Sequence, residues 1–574
     1  MRLFTIALLL FLAGNTINTQ AQPWIQIGQD IDGEAADDWS GYSVSLSTDG
    51  NTVAIGAPGN GIGFNSGHVR VYHNVGGSWS QIGQDLEGEA AGDLNGSSVS
   101  LSADGNTVAI GARGNDGNGS SYSGHVRVYQ NAGGFWSQIG QDIDAEAAGD
   151  RSGSSLSLSS DGTTVAIGAP YSDGNGTNAG HVRVYQNVGG SWSQIGQDID
   201  GEAANDRSGR SVSISADGNT VAIGAYKNDG NGTSSGHVRV YQNVGGSWSQ
   251  IGQDIDGEAA YDWSGHSVSL SADGNTVASG AWRNGENDST GHVRVYQNVG
   301  GSWSQIGQDI DGEAAYDFSG WSVSLSADGN TVAIGAIGNG YGFNSGHVRV
   351  YQNVGGSWSQ IGQDIDGEAA DDRSGFSVSL SADGNTVAIG APFNYENDST
   401  GYVRVYELGC GPVTFLPNIL GEININPLTS YSYVISQPPS GFTIDWAVIN
   451  GALTSGQGTT VANVFWDANG YGQVVVTLSD GVCPISDTLV VGHPPVSIFD
   501  LLSEETNISP NPSSGIYQVQ GTGTLSVHNA LGDLILRKNI SGNSTIDLST
   551  QANGIYTLQL QTEKGTLTRK LIKE

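Results

Sequence analysis

The chain has 574 residues, too many for one ordinary core, so several domains are expected. Formal net charge is −36, from 57 Asp and Glu against 21 Lys and Arg. Such a surface repels phosphate backbones and argues against a nucleic-acid partner, while leaving cations, basic partners or simple solvation open.

At the N-terminus, Arg2 precedes an apolar run from Leu3 to Ala13, and Thr19 and Ala21 supply small residues at signal-peptidase spacing. The run is too short to span a bilayer, so residues 1–21 read as a cleaved secretory signal. No later segment is apolar for long enough to cross a membrane, and an exported protein with no transmembrane segment is expected.

From residue 22 to 408 the chain repeats itself seven times. Trp24, Trp79, Trp136, Trp192, Trp248, Trp303 and Trp358 each open a W-x-Q-I-G-Q-D segment, at intervals of 55, 57, 56, 56, 55 and 55 residues. The second unit contains four runs with period two: Trp79–Leu86, Ser97–Ser102, Thr107–Ala112 and His125–Tyr129. Val99 and Leu101 share one face, and Ser98, Ser100 and Ser102 the other, which is strand alternation. Asp104-Gly105 predicts a tight hairpin, and Gly133-Gly134 a second turn. One aliphatic face and one face of Ser, Ala, Gly and Thr let sheets stack closely. A single unit of about 55 residues cannot offset its own ordering entropy, so neighbouring units must bury one another. An all-β fold is expected, a seven-bladed β-propeller followed by two small β-sandwich domains. The array begins with a Trp-led strand and ends at Tyr402–Tyr406 without one, so the first strand is predicted to complete the last blade.

The pattern D-x-S-G-x-S-V-S-L-S-x-D-G-N-T-V-A-I-G-A-P, then S-G-H-V-R-V-Y and G-G-S-W-S-Q, resembles the bacterial FG-GAP repeat, which is related to the integrin α-chain propeller. The Phe of the family's Phe-Gly pair is Ser or Asn here, as in Ser40-Gly41 and Asn95-Gly96, while the GAP element stands as Gly56-Ala57-Pro58, Gly168-Ala169-Pro170 and Gly390-Ala391-Pro392. Integrin-type repeats often carry a calcium loop between the first two strands. Here that connection is only Ala103-Asp104-Gly105-Asn106, too short to wrap a hard cation. No cofactor is expected on this basis. Asp30, Asp32, Glu34 and Asp38, and the loops Asn115-Asp116-Gly117-Asn118 and Asn228-Asp229-Gly230-Asn231, are oxygen-rich and fit either turn chemistry or calcium.

Two places vary between units. One flanks the S-G pair, as Trp39 and Tyr42, Arg207 and Arg210, Trp263 and His266, Phe318 and Trp321, or Arg373 and Phe376. The other follows G-A, as Arg113, Tyr226 and Trp282. In an up-and-down blade both lie on one side of the disc, and Trp, Tyr, Phe and Arg are the types that dominate binding hot spots. The candidate ligand-binding residues are therefore Trp39, Tyr42, Arg210, Tyr226, Trp263, His266, Trp282, Phe318, Trp321, Arg373 and Phe376, with packing between blades as the competing reading. The repeated histidines His68, His125, His181, His237, His292 and His347 lie one per unit, cannot converge on one ion, and read as strand-end structure. No nucleophile elbow, zinc-protease motif or phosphate loop is present. A non-enzyme is expected, with a glycoside hydrolase or lyase using a carboxylate pair as the alternative.

After the repeats, period two persists from 409 to 493, with strands expected at Tyr431–Ile435, Phe442–Val448, Val461–Trp466 and Gln473–Leu478. The run Trp446–Thr459, with Val464–Trp466 and Cys483, resembles a PKD-like, immunoglobulin-type sandwich of exported Bacteroidetes proteins, a spacer. The two cysteines, Cys410 and Cys483, allow one disulfide in an exported protein, or two buried thiols. Residues 494–506 read as a linker. From 507 to 574, Ile508–Pro512, Leu525–Asn529 with Gly532, Ile546–Leu548, Gly554–Tyr556 and the ending Arg569–Lys573 resemble a type IX secretion C-terminal sorting domain. The segment reads as a small β-sandwich with a basic tip (Lys564, Arg569, Lys570, Lys573), and the resemblance implies the secretion machinery as a partner and release or attachment at the cell surface. The expected function is adhesion or ligand binding to an extracellular protein or glycan, with a ligand-free structural role as a further alternative.

Overall fold

The computed structural model describes residues 23–573, apart from 60–63, 118–120, 285–288, 339–343, 395–398, 410–417, 437, 439–441, 469–470, 480–484, 493–507, 510–512, 530–532 and 563–564. No α-helix occurs among the described residues. The signal segment, the linker, and Cys410 and Cys483 lie outside them. The chain divides into two compact units, Met1–Pro412 and Val413–Glu574.

In the first unit, seven sheets repeat one plan. In the second repeat an inner strand, Asn95–Leu101, pairs with Thr107–Ala112, which pairs with His125–Asn131. The outer edge is two short pieces, Trp136–Gln138 and Ile143–Asp144, both paired with the third strand. The Trp-led segment was expected as one strand. Gly140, at φ +75°, breaks it after three residues and the chain rejoins the edge farther along. The aspartate turn forms as expected. In this turn Ser102 Oγ donates to Asp104 Oδ1 at 2.6 Å, and the Thr107 amide donates to Ser102 Oγ at 2.9 Å.

The last sheet consists of Ser377–Leu380, Thr386–Ala391 and Tyr402–Leu408, and its outer edge comes from the start of the chain. Trp24 pairs with Leu408 and Ile31 with Val403. The N-terminal strand thus completes the last sheet.

Hydrogen bonds between neighbouring sheets run round the whole cycle. Each inner-strand serine donates to a glycine carbonyl of the next sheet: Ser43 to Gly96, Ser98 to Gly153, Ser155 to Gly209, Ser211 to Gly265, Ser267 to Gly320, Ser322 to Gly375, and Ser377 back to Gly41. A backbone series links Thr48 to Ala103, Ala103 to Ser160, Ser160 to Ala216, and so on until Ala382 returns to Thr48. At the outer edge each Trp indole donates across the seam to an Ile carbonyl, as Trp79 to Ile27, Trp136 to Ile82 and Trp24 to Ile361. Glycine is required at the inner seam. A Cβ on Gly168 would stand 2.1 Å from the carbonyl oxygen of Gly209.

The core lies between sheets rather than within them. Ala54, Val69 and Val71 of one sheet pack on Val99, Leu101, Val108, Ile110 and Trp136 of the next. Burying each large side chain contributes roughly 1.5–3 kcal/mol. The same grouping joins the last sheet to the first, through Ala388, Val403 and Val405 against Val44, Val53 and Ile55.

In the second unit, Ser430–Val434, Gly451–Ser455 and Val461–Trp466 form one three-stranded sheet, and Thr443–Ile449, Tyr471–Ser479 and Ile485–Gly492 form another. They share a core that includes Tyr433, Trp446 and Trp466, with the Trp466 indole donating to Tyr433 Oη at 3.0 Å. Residues 508–573 form one five-stranded sheet around Tyr517, Leu525, Val527, Ile546 and Leu558. Lys573 does not join the basic tip expected of it. Its side chain is buried, and Nζ donates to the Ser549 carbonyl at 3.0 Å.

Candidate functional site

Strand pairing separates two ends of every repeat sheet. Ser43 pairs with Gly56, and Ala57 with His68, whereas the aspartate turn and the Gly76-Gly77 turn meet at the other end, where the Asn74 amide donates to the Asn51 carbonyl. Both variable places therefore fall at one end, the open end.

There the residue after each S-G pair rims a cup of about 230 Å³. The rim runs Tyr42, Ser97, Ser154, Arg210, His266, Trp321 and Phe376, and the Arg113 guanidinium lies 5.4 Å from the Tyr42 ring centroid. One side is aromatic. Tyr42 and Phe376 have ring centroids 4.9 Å apart, Phe376 and Trp321 5.5 Å, and Trp321 and His266 5.0 Å. The other side offers two small serines flanked by Arg113 and Arg210. Arg210 Nη2 donates to His266 Nε2 at 3.3 Å, which places the proton of a neutral ring on Nδ1. Burial, and then the Arg210 charge, hold the His266 imidazole well below its ordinary pKa. No carboxylate is among the described residues lining the cup, whereas hydrolysis by a pair of acids needs two.

A second tier surrounds this rim. Trp263 and Trp282 pack edge to face at 5.0 Å, Trp282 touches Phe318 at 5.4 Å and Trp321 at 5.2 Å, and Tyr226 meets Trp263 at 5.3 Å. Phe393 lies 6.1 Å from Trp39 and 5.4 Å from Phe376, and the Arg373 guanidinium lies 5.1 Å from its ring. All eleven residues singled out in the sequence thus fall in one continuous network. Most are half-buried against one another.

Sequence reasoning missed several members. Phe393 joins two parts of the network, and Tyr171 lies between Arg151 at 4.5 Å and Arg207 at 4.6 Å. The signal was in the cations. Seven of the fourteen Lys and Arg in the repeats are the Arg of H-V-R-V-Y or, in the last unit, Y-V-R-V-Y, and each pairs with a glutamate, as Arg70 with Glu34 at 3.3 Å. The other seven, Arg113, Arg151, Arg207, Arg210, Lys227, Arg283 and Arg373, all stand at the variable places, and none ion-pairs with a described carboxylate.

The residue before each S-G pair has a left-handed backbone. Trp39, Leu94, Arg151, Arg207, Trp263, Phe318 and Arg373 have φ between 53° and 58°. For a bulky residue this conformation costs on the order of 1–3 kcal/mol, and such strain collects at functional sites.

Three of the acidic residues considered for calcium have local partners. Asp30 accepts from Gln26 Nε2 at 2.6 Å, Glu34 pairs with Arg70, and Asp38 accepts the Glu34 and Ala35 amides at 2.7 and 2.9 Å.

A family profile described as FG-GAP repeat matches residues 144–185 and 199–241, and one described as secretion system C-terminal sorting domain matches 507–574. The chain carries FG-GAP repeats and a type IX secretion sorting domain, which indicates export to the cell surface or beyond and contact with the secretion machinery. No curated protein matches the chain. Among solved structures, it is similar to a putative 6-phosphogluconolactonase from Bacteroides uniformis, at 13% identity and TM-score 0.40, over 57% of this chain and 86% of that one. It is also similar to a periplasmic gluconolactonase of Pseudomonas aeruginosa, at 17% identity and TM-score 0.40, over 74% and 95%. A xyloglucanase from Xanthomonas campestris aligns at 10% identity and TM-score 0.38, over 96% and 93%. At such identities and scores these likenesses carry nothing about activity, and the architecture rests on the strand pairing itself.

Proposed function

We propose that this is a secreted or cell-surface binding protein whose open face recognises an extracellular glycan or protein through the central cup. One observation carries the reading: the residues that differ between seven otherwise near-identical units meet in a single aromatic and cationic network around one cup. A sheet seam needs no such side chains, since backbone and serine bonds already close it. The cup suits a ligand with an apolar ring face and an anionic group, the first for Trp321, Phe376 and Tyr42, the second for Arg113 and Arg210. Residues 22–408 form the binding part on this reading. Residues 409–493 act as a PKD-like or immunoglobulin-like spacer, 494–506 as a linker, and 507–574 as the sorting domain.

The test is a binding screen of the mature chain against glycan and matrix-protein panels, followed by the Trp263→Ala, Trp282→Ala and Trp321→Ala variants. The reading requires folded variants that lose binding. Variants that collapse would favour aromatic packing between blades as the sole role. Turnover of a polysaccharide would replace simple binding with catalysis.

A further inference from the structure

A second constellation lies apart from the cup, at the outer edge of the sheets, and recurs in four units. Glu89, His125 and Asp142 bring one donor atom each within 4.8 Å of one another. The same holds for Glu146, His181 and Asp198, for Glu202, His237 and Asp254, and for Glu258, His292 and Asp309. The fold builds each trio the same way. The histidine opens the third strand, the aspartate sits in the break between the two outer pieces, and the glutamate comes from the loop leading into that sheet.

Each acid keeps one oxygen in reserve. Gln138 Nε2 donates to Asp142 Oδ1 at 2.6 Å, and Arg127 pairs with Glu89 Oε1 at 3.4 Å. The equivalent contacts recur in the third and fourth units through Gln194 and Arg183, then Gln250 and Arg239. The imidazoles are buried, none more than 2% exposed, and each has a buried ring nitrogen without a hydrogen-bond partner: Nε2 of His125, His181 and His292, and Nδ1 of His237. In the His237 trio that nitrogen faces Asp254 Oδ2 at 3.9 Å, the oxygen that Gln250 leaves open. That gap is too long for a hydrogen bond, and an ion about 2.0–2.2 Å from each donor would bridge it. Beside His125 a cavity of about 350 Å³ is lined by Glu89, Asp93, Asp116, Asp142, Asp144 and Asn115, whose Oδ1 also has no partner. Five carboxylates around one cavity favour a cation, and an orphaned buried polar atom asks for a ligand.

We propose that each of the four trios binds one divalent transition-metal ion of the zinc type, with water completing its coordination. One imidazole nitrogen and two monodentate carboxylates match zinc, whereas calcium prefers six to eight oxygens. The ion ties the loop entering a sheet to that sheet's outer edge. The site is independent of the cup and of what the cup binds.

The test uses the mature full-length chain, stripped with chelator and titrated with zinc chloride, with bound metal counted by native mass spectrometry. Four tightly held zinc ions per chain are expected. His125→Ala reduces the count to three, and His125→Ala with His181→Ala to two, in proteins whose circular dichroism matches the parent. Should His125→Ala fail to fold, Glu89→Gln and Asp142→Asn each weaken one site by at least tenfold. A zinc count unchanged by these substitutions, or no saturable binding, overturns the proposal. A calcium chloride titration that fills the same four sites, while zinc does not, overturns the choice of ion.

Discussion

The two ends of each repeat sheet obey different rules. At the turn end every unit repeats one network, from Ser102, Asp104, Asn106 and Thr107 in the second unit to Ser381, Asp383, Asn385 and Thr386 in the last. At the open end the corresponding positions hold Trp, Tyr, Arg, Ser, His or Phe. Closure is enforced away from the open end. The inter-sheet bonds run through backbone carbonyls, serine hydroxyls and the outer indoles, so the side chains at the open end are released from that duty and can diversify.

If the seams hold the ring, substitutions there are the most damaging. Gly168→Val is the harshest trial, because the new side chain would overlap the Gly209 carbonyl. A loss of more than about 4 kcal/mol is expected, read as failure to give a cooperative urea transition, and near-normal unfolding would sink the seam argument. Trp136→Ala removes a fully buried indole and its bond to Ile82, and should cost about 3–5 kcal/mol. A cost below 1 kcal/mol by the same measurement would leave the outer edge without its assigned role.

Acid probes the strand-end histidines. Burial, and then the Arg70 charge, lower His68 to about 4 while Asp85 opposes them, and burial also lowers His347 and His266. The unfolded chain then binds protons that the fold does not, so stability falls as pH drops from about 6.5 toward 4. Buried carboxylates with raised pKa, such as Asp38 and Asp262, offset part of this loss near the acid end. Melting temperature should therefore decline below pH 6.5, and a flat profile from 7 to 5 would contradict the histidine burial.

The open end should respond in the opposite sense. Trp321→Ala is expected to weaken ligand binding tenfold or more, with a stability cost of about 2 kcal/mol or less, as isothermal titration and urea melts together would establish. Smallest is Arg151→Gly. It relieves a left-handed backbone at φ 54° while giving up stacking on Tyr171. Stability should stay within about 1 kcal/mol of the parent or rise, and a clear loss would mean that this residue serves packing alone.

Much of the fold was legible because a repeated phrase fixes a repeated structure. The Asp-Gly hairpins, the alternation of Val99 and Leu101, and the missing Trp-led strand at the end all led to the observed pairing. The break in that strand was harder to read, since Ile82-Gly83 continues the apolar pattern and only a positive φ interrupts it. Trp79 read as the opening of a repeated segment, and its bond to Ile27 joins positions 52 apart, a relation no local pattern carries. The eleven candidates were drawn from variation between units, and the structure gathers them into one network; Arg151 and Arg207, at equivalent variable places, were not among them. What separates them is the absence of the glutamate that every H-V-R-V-Y arginine has. The histidine trios escaped for a similar reason, as each draws on a strand end, a strand break and a loop.

The junction of Trp24–Gln26 with Tyr402–Leu408 has the same antiparallel register as the hairpins elsewhere in the cycle, with Trp24 opposite Leu408 as Trp79 is opposite Asn74. Where the polypeptide happens to begin is therefore arbitrary with respect to the ring. A circular permutant opened at another Gly-Gly turn, with the old ends joined, should assemble the same disc. Whole units could likewise be exchanged between positions, carrying their own contribution to the cup with them.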